Sequence, residues 1–198
     1  MTLADGQGPK GDTMTRGHWF LGGLLLGLCS LAGWAQTTQP APAPAPASQL
    51  PSVTVTVSDA KGTRLGEVRV TETPHGLLLQ GSLTGLPPGE HAIHVHETGK
   101  CEPPFKTAGG HFNPGHKDHG ALLASGAHAG DLPNVFAAAD GTLKFELLAA
   151  DLTLAPGPNS VFDADGSSIV LHAKADDYRS QPSGDSGDRI ACGVLFRR

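Results

Sequence analysis

Cysteine is scarce in this chain of 198 residues: there are three, so at most one intramolecular disulfide can form. Excess positive charge is missing as well. The net charge is −5, which argues against nucleic acid as a partner. Only one long apolar run occurs, Trp19 to Leu31, and it is too short to span a bilayer comfortably. Nothing further along looks able to cross a membrane. No long segment carries the 3.6-residue period of an amphipathic helix and no internal repeat is visible, which leaves the β classes.

The apolar run follows Arg16 and His18 and is followed by the small residues of Gly33-Trp34-Ala35. That is the anatomy of a secretory signal peptide, with cleavage expected after Ala35. Met14 stands just before the basic start, so residues 1–35 are read as a leader with Met14 as initiator and residues 1–13 as an extension. Cys29 raises a lipoprotein alternative, against which Leu28 stands where a small residue is wanted. Residues 36–50 form a Pro/Ala-rich spacer. Its alternating prolines lack a donor and fix φ, so it is expected to be extended and semi-rigid, either a tether to membrane or envelope or a plain mature N-terminus. Residues 51–198 are the folded domain. Removal of Cys29 with the leader leaves Cys101 and Cys192, an even pair expected to be disulfide-bonded in an exported domain. The long loop they close implies roughly 4–5 kcal/mol of stabilisation in the chain-entropy account.

Within the domain, β-forming residues alternate over Val53–Val57, Leu65–Thr73 and Leu77–Leu83. Further strands are expected over His91–His96, Thr142–Leu148, Ser167–His172 and Ile190–Phe196, with Asp140-Gly141 as a hairpin signal. Short strands with Gly/Pro turns predict an all-β fold, an antiparallel sandwich or barrel. Two stretches break the rhythm, Glu97 to about Asn134 and Ala173 to about Asp188. Unstructured loops of that length are usually functional.

What is abundant is histidine. Seven of the ten lie between His91 and Asp131, and His172 sits in a later strand. Imidazole is the commonest side-chain metal ligand, and a nitrogen-rich cluster with one carboxylate suits zinc and copper. His94 and His96 are two apart in a strand, so both project from one face. His172 can reach the same metal from a second strand. His111, His119, His128 and Asp131 make a four-ligand set for zinc. His75 and His116 read as turn and solvent-facing loop residues. His91 has the opposite parity to His94 and reads as a packing or hydrogen-bonding residue.

These pieces resemble the copper/zinc superoxide dismutases of the exported bacterial type. The matching segments are HAIHVHE (from His91), GGHFNP (from Gly109), HAGDLPN (from His128), LHAKADD (from Leu171) and RIACGV (from Arg189). The resemblance runs from about Ser52 to the C-terminus. It implies an eight-stranded Greek-key barrel or sandwich of the immunoglobulin-like type with two long functional loops. It also implies copper on His94, His96, His111 and His172, and zinc on His111, His119, His128 and Asp131, with His111 bridging. Asp176 would link the far nitrogens of His94 and His119, Arg189 would dock the anionic substrate, and the Cys101–Cys192 disulfide would pin a loop near that arginine. The implied reaction converts superoxide to oxygen and hydrogen peroxide by alternate reduction and oxidation of the histidine-bound copper, with His111 and Arg189 as catalytic residues. The implied location is the periplasm, envelope or extracellular space, and the implied assembly a monomer or homodimer. Between Ala173 and Arg189 the glutamate pair and lysine that guide substrate in the eukaryotic enzymes are absent. Lys106, Lys174 and Arg179 are the candidate replacements. The rival readings are a copper- or zinc-holding module without turnover and a sandwich stabilised by zinc alone.

Overall fold

The computed structural model describes residues 50–196. The expectations for the leader and for residues 36–49 of the spacer lie outside the described residues.

The strands are β1 (Ser52–Asp59), β2 (Arg64–Thr73), β3 (Gly76–Leu83), β4 (Gly89–His91), β5 (Ile93–His96), β6 (Val135–Ala137), β7 (Leu143–Ala149), β8 (Ser167–His172) and β9 (Arg189–Leu195). Seven of them make one antiparallel sheet in the order β5-β8-β9-β1-β2-β3-β7, and β4 pairs with β6. The all-β expectation holds, with nine strands among the described residues where the sequence pattern marks seven and the resemblance implies eight. The segment His91–His96 is two strands, because Ala92 leaves the ladder. Its N–H donates to the Lys174 carbonyl and its carbonyl accepts from the His172 N–H. The chain changes partners there, from β6 to β8. The other addition, β6, has too few residues to show alternation. A third long connection, residues 150–166, was not singled out from the sequence.

Alternation builds the core. Val55 and Val57, Val68 and Val70, and Leu77 and Leu79 are buried while the residue between each pair is more exposed, and Gly81 and Leu83 continue the buried face of β3. The alternation slips once, between Leu65 and Val68, where the β1–β2 register shifts. Gly66 sits at that slip with φ 155°, and a Cβ there would lie 2.1 Å from the Ser82 carbonyl oxygen, so the bulge requires glycine. β8 is buried at every position, as a strand covered on both faces should be. Phe105, Ala108, Val170 and Cys192 form a second, smaller cluster with Cys101 beside it. The disulfide joins Cys101 to Cys192 with Cα atoms 5.7 Å apart, fastening the loop after β5 to β9.

Candidate metal centre

β5 carries two of the histidines and is an edge strand of the large sheet. One of its sides pairs with β8. The other is covered by two pieces of the long loop. Phe112 N–H donates to the Val95 carbonyl, Val95 N–H to Gly130, and Gly130 N–H to Phe112. This triangle sets His111 opposite His96 and Asp131 opposite His94. Gly130 makes the approach feasible: a Cβ there would fall 2.2 Å from the Val95 carbonyl oxygen.

Two groups of ligand atoms result. One nitrogen from each of His94, His96, His111 and His172 lies within 4.8 Å of the others, and the same holds for one atom each of His111, His119, His128 and Asp131. His111 belongs to both. Its Nδ1 faces Asp131 Oδ1 at 2.8 Å, while its Nε2 is buried without a hydrogen-bond partner. His94 Nδ1, His119 Nδ1 and His128 Nδ1 are likewise buried and unpartnered. His119 Nδ1 and His128 Nδ1 lie 3.0 and 3.2 Å from the Asp131 carboxylate, yet not in hydrogen-bonding orientation. Orphaned buried nitrogens are costly and rare. Lone pairs that converge on one point without proteins' usual partners are what a metal ion needs, so the donor sets fit copper and zinc.

The opposite nitrogens are anchored. Asp176 joins the two groups: Oδ2 meets His94 Nε2 at 2.8 Å and Oδ1 meets His119 Nε2 at 3.0 Å. Asn134 holds Asp176 by its backbone at both ends, accepting from its N–H and donating to its carbonyl. Gly184 (φ 69°) passes so close that a Cβ would sit 1.8 Å from Asp176 Oδ1. Gln181 clasps His119, donating to its carbonyl and accepting from its N–H. Tyr178 Oη accepts from Asn134 N–H. None of Asn134, Tyr178, Gln181 and Gly184 was named from the sequence as a site residue, although Asn134 closes one of the quoted motifs.

His96 Nδ1 faces the Gly109 carbonyl at 3.0 Å, and that carbonyl also accepts from Arg189 Nη2 at 2.7 Å. Arg189 Nη1 donates to the Phe105 carbonyl at 2.7 Å. Two of the five guanidinium donors are thereby used, leaving the rest free to meet an anion. Arg189 lines a cavity of about 580 Å³ with Pro104, Lys106, Gly187 and Asp188. Of the other cations considered, Lys174 pairs with Asp185 at 3.7 Å and Arg179 lies exposed. His91 joins neither group. Its Nδ1 faces the His172 carbonyl and its Nε2 the Pro87 carbonyl. His116 and His75 are exposed, as expected.

Burial favours the neutral form of His94, His96 and His172. Desolvation, set against the Asp176 hydrogen bond, brings His94 down to about 4. Desolvation first, and repulsion from a neighbouring ring second (His111 for His96, His94 for His172), brings His96 to about 2 and His172 to about 3. Burial works to raise Asp131, but hydrogen bonding and charge from His111 outweigh it and hold the carboxyl well below the usual range. Neutral imidazole and ionised carboxylate are the metal-binding forms.

Residues 64–195 match the model of the copper/zinc superoxide dismutase family. The chain belongs to that family. A copper/zinc superoxide dismutase of Caulobacter vibrioides is 48% identical over 148 residues, 73% of this chain and 85% of the relative. One from Aquifex aeolicus is 44% identical over 142 residues, 70% of this chain and 84% of the relative. Among solved structures, a superoxide dismutase-like protein from Bacillus subtilis superposes with a TM-score of 0.70 at 39% identity, covering 72% of this chain and 97% of that one. Family members thus include proteins named only as dismutase-like, so what the ligand residues of this chain do has to be argued from its own site.

Proposed function

We propose that the chain is an exported superoxide dismutase. Copper would be held by His94, His96, His111 and His172, and zinc by His111, His119, His128 and Asp131. The observation that carries this reading is the pair of complete ligand sets sharing His111, with a tethered Arg189 beside one of them. A metal buffer has no need of an arginine fixed by two carbonyls with donors to spare; a site for a small anion does.

Copper, when bound, supplies one-electron redox chemistry, and zinc, which has no redox change of its own, shapes the loop. The protein's part is to bind, orient and move protons. Arg189 docks superoxide through its unused N–H groups in a pre-organised orientation. Because Gly109 anchors both Arg189 and His96, the dock and a ligand ring keep a fixed relation. His111 Nε2 is the atom that holds a proton for the peroxide product and gives it up again. Asp176 keeps His94 and His119 in the tautomers that leave Nδ1 bare on both. Lys106, beside Arg189 in the cavity wall, is the guiding cation and adds positive potential at the entrance.

Export fits the disulfide, which persists in oxidising compartments, and the apolar run of residues 19–31. N-terminal sequencing of the mature protein tests cleavage after Ala35; an N-terminus at Met14 or Met1 would overturn it. The function is tested by assaying the chain with copper plus zinc and with zinc alone, beside Arg189→Ala and His172→Ala. Copper-dependent turnover reduced in both variants is the expected result. Full metal occupancy without turnover would leave a metal-holding module.

A further inference from the structure

Each copper-side ring other than His111 needs something to hold its far nitrogen. His94 has a carboxylate at 2.8 Å and His96 a carbonyl at 3.0 Å. His172 is different. The nearest backbone acceptor, the Gly187 carbonyl, is 3.3 Å from Nδ1, at the long end of the hydrogen-bond range. A side-chain hydroxyl, Ser186 Oγ, is nearer, at 3.0 Å.

We propose that Ser186 is the positioning residue for His172, its hydroxyl taking the Nδ1–H so that the ring keeps Nε2 turned toward His94, His96 and His111. This rests on the assignment of His172 to copper. Ser186 is fully buried, so no water is at hand to replace it. Its backbone is fastened to the segment that follows His172. The Ser186 carbonyl accepts from Lys174 N–H at 2.9 Å, and the Asp188 carbonyl accepts from Ala173 N–H at 2.8 Å. Gly187, with φ 75°, makes the turn that brings a hydroxyl and a carbonyl onto one ring nitrogen. His172 Nε2 then stands 3.4 Å from His96 Nε2, in the ligand group.

The hydroxyl also differs in kind from the other anchors. Carbonyl and carboxylate only accept, so they favour one tautomer; a hydroxyl accepts or donates. His172 is therefore the ring whose far nitrogen stays satisfied in either tautomer, with Nδ1–H donating when Nε2 binds metal and Ser186 O–H donating when Nε2 carries the proton.

The test uses the full chain loaded with copper and zinc, with Ser186→Ala, Ser186→Thr and His172→Ala compared. Ser186→Ala is expected to change the Cu(II) EPR spectrum and weaken copper binding about tenfold, at the lower end of what removing a supporting residue costs. Zinc affinity and the melting point of the metal-free protein should stay put, and Ser186→Thr, which keeps the hydroxyl, should restore the spectrum. A wild-type EPR spectrum and wild-type copper affinity in Ser186→Ala, with copper binding lost in His172→Ala, overturns the role of Ser186. Wild-type copper binding in His172→Ala overturns the copper assignment instead. Should Ser186→Ala fold poorly, NMR of the unmutated Cu(I), zinc-loaded protein decides. A slowly exchanging His172 Nδ1 proton in contact with the Ser186 β-protons supports the proposal, and a fast-exchanging one without that contact defeats it.

Discussion

The two halves of the metal centre are built from different materials. The half proposed for copper takes His94, His96 and His172 from strands β5 and β8, which pair with each other and are buried. The half proposed for zinc takes His111, His119, His128 and Asp131 entirely from the connection between β5 and β6. Strands are ordered by their ladder and the core behind them, whereas a loop of this length gains little order of its own. The copper half is therefore pre-formed by folding, and the zinc half depends on its metal, on the Asp176 link and on clasps such as Gln181.

The largest effect should come from the residue common to both. His111→Ala is expected to abolish turnover and to weaken both metals by upwards of ~100-fold, beyond the cost of losing a supporting residue. Metal titration with a competing chelator measures it, and loss of one metal alone would break the symmetry drawn here. Asp176→Asn comes next. It should weaken both metals about 10–100-fold, and hydrogen exchange should show new opening over residues 113–134 while β5 and β8 stay protected. Equal loss of protection in the strands would mean that the copper half is not pre-formed.

The scaffold and the loop fastening can be separated by two further changes. Leu79→Ala, deep in the sheet, should cost about 2–5 kcal/mol in denaturant unfolding while leaving metal affinities unchanged. Cys192→Ser should cost a similar ~2–5 kcal/mol but also lower turnover, because the loop that carries Phe105 and Gly109 presents the carbonyls that hold Arg189. In the metal-free protein, stability should fall as the pH drops from 6.5 toward 4 and below. Folded His94, His172 and His96 titrate at about 4, 3 and 2 against an ordinary 6.5, so below that value the unfolded state binds more protons. Urea midpoints across that range check it, and a flat profile would mean that the metal-free strands do not keep the rings buried. The smallest effect belongs to Lys106→Gln: about a two- to threefold loss of kcat/KM at low ionic strength that vanishes in high salt.

The same contrast explains what could be read in the sequence. Val55, Val57, Val68 and Val70 declare their strands by period two, and His94 and His96 inherit their common face from it. The split of β4 from β5 was hidden, because it turns on Ala92 bonding to Lys174 and to His172, both far along the chain. His119, His128 and Asp131 were legible as ligand types, and the resemblance to a family paired them. The residues that support them were not. Asn134, Gln181 and Ser186 act through backbone contacts and ring nitrogens that exist only once two loops meet, and an amide or hydroxyl in a polar loop gives no signal by itself. Gly130 and Gly184 look like any loop glycine, and only the atoms that crowd them reveal why no side chain fits.

The loop triangle on β5 has one more consequence. An edge strand offers unpaired amides and carbonyls to any other chain, and proteins avoid association by covering such edges. Here Gly130 and Phe112 occupy the amide and carbonyl of Val95, the middle of the strand that carries His94 and His96. That cover is part of the loop proposed to hold zinc. Loss of zinc would thus do more than disturb catalysis: it would release the guard on a sticky border of the sheet, and metal supply would set how readily copies of this chain adhere to one another.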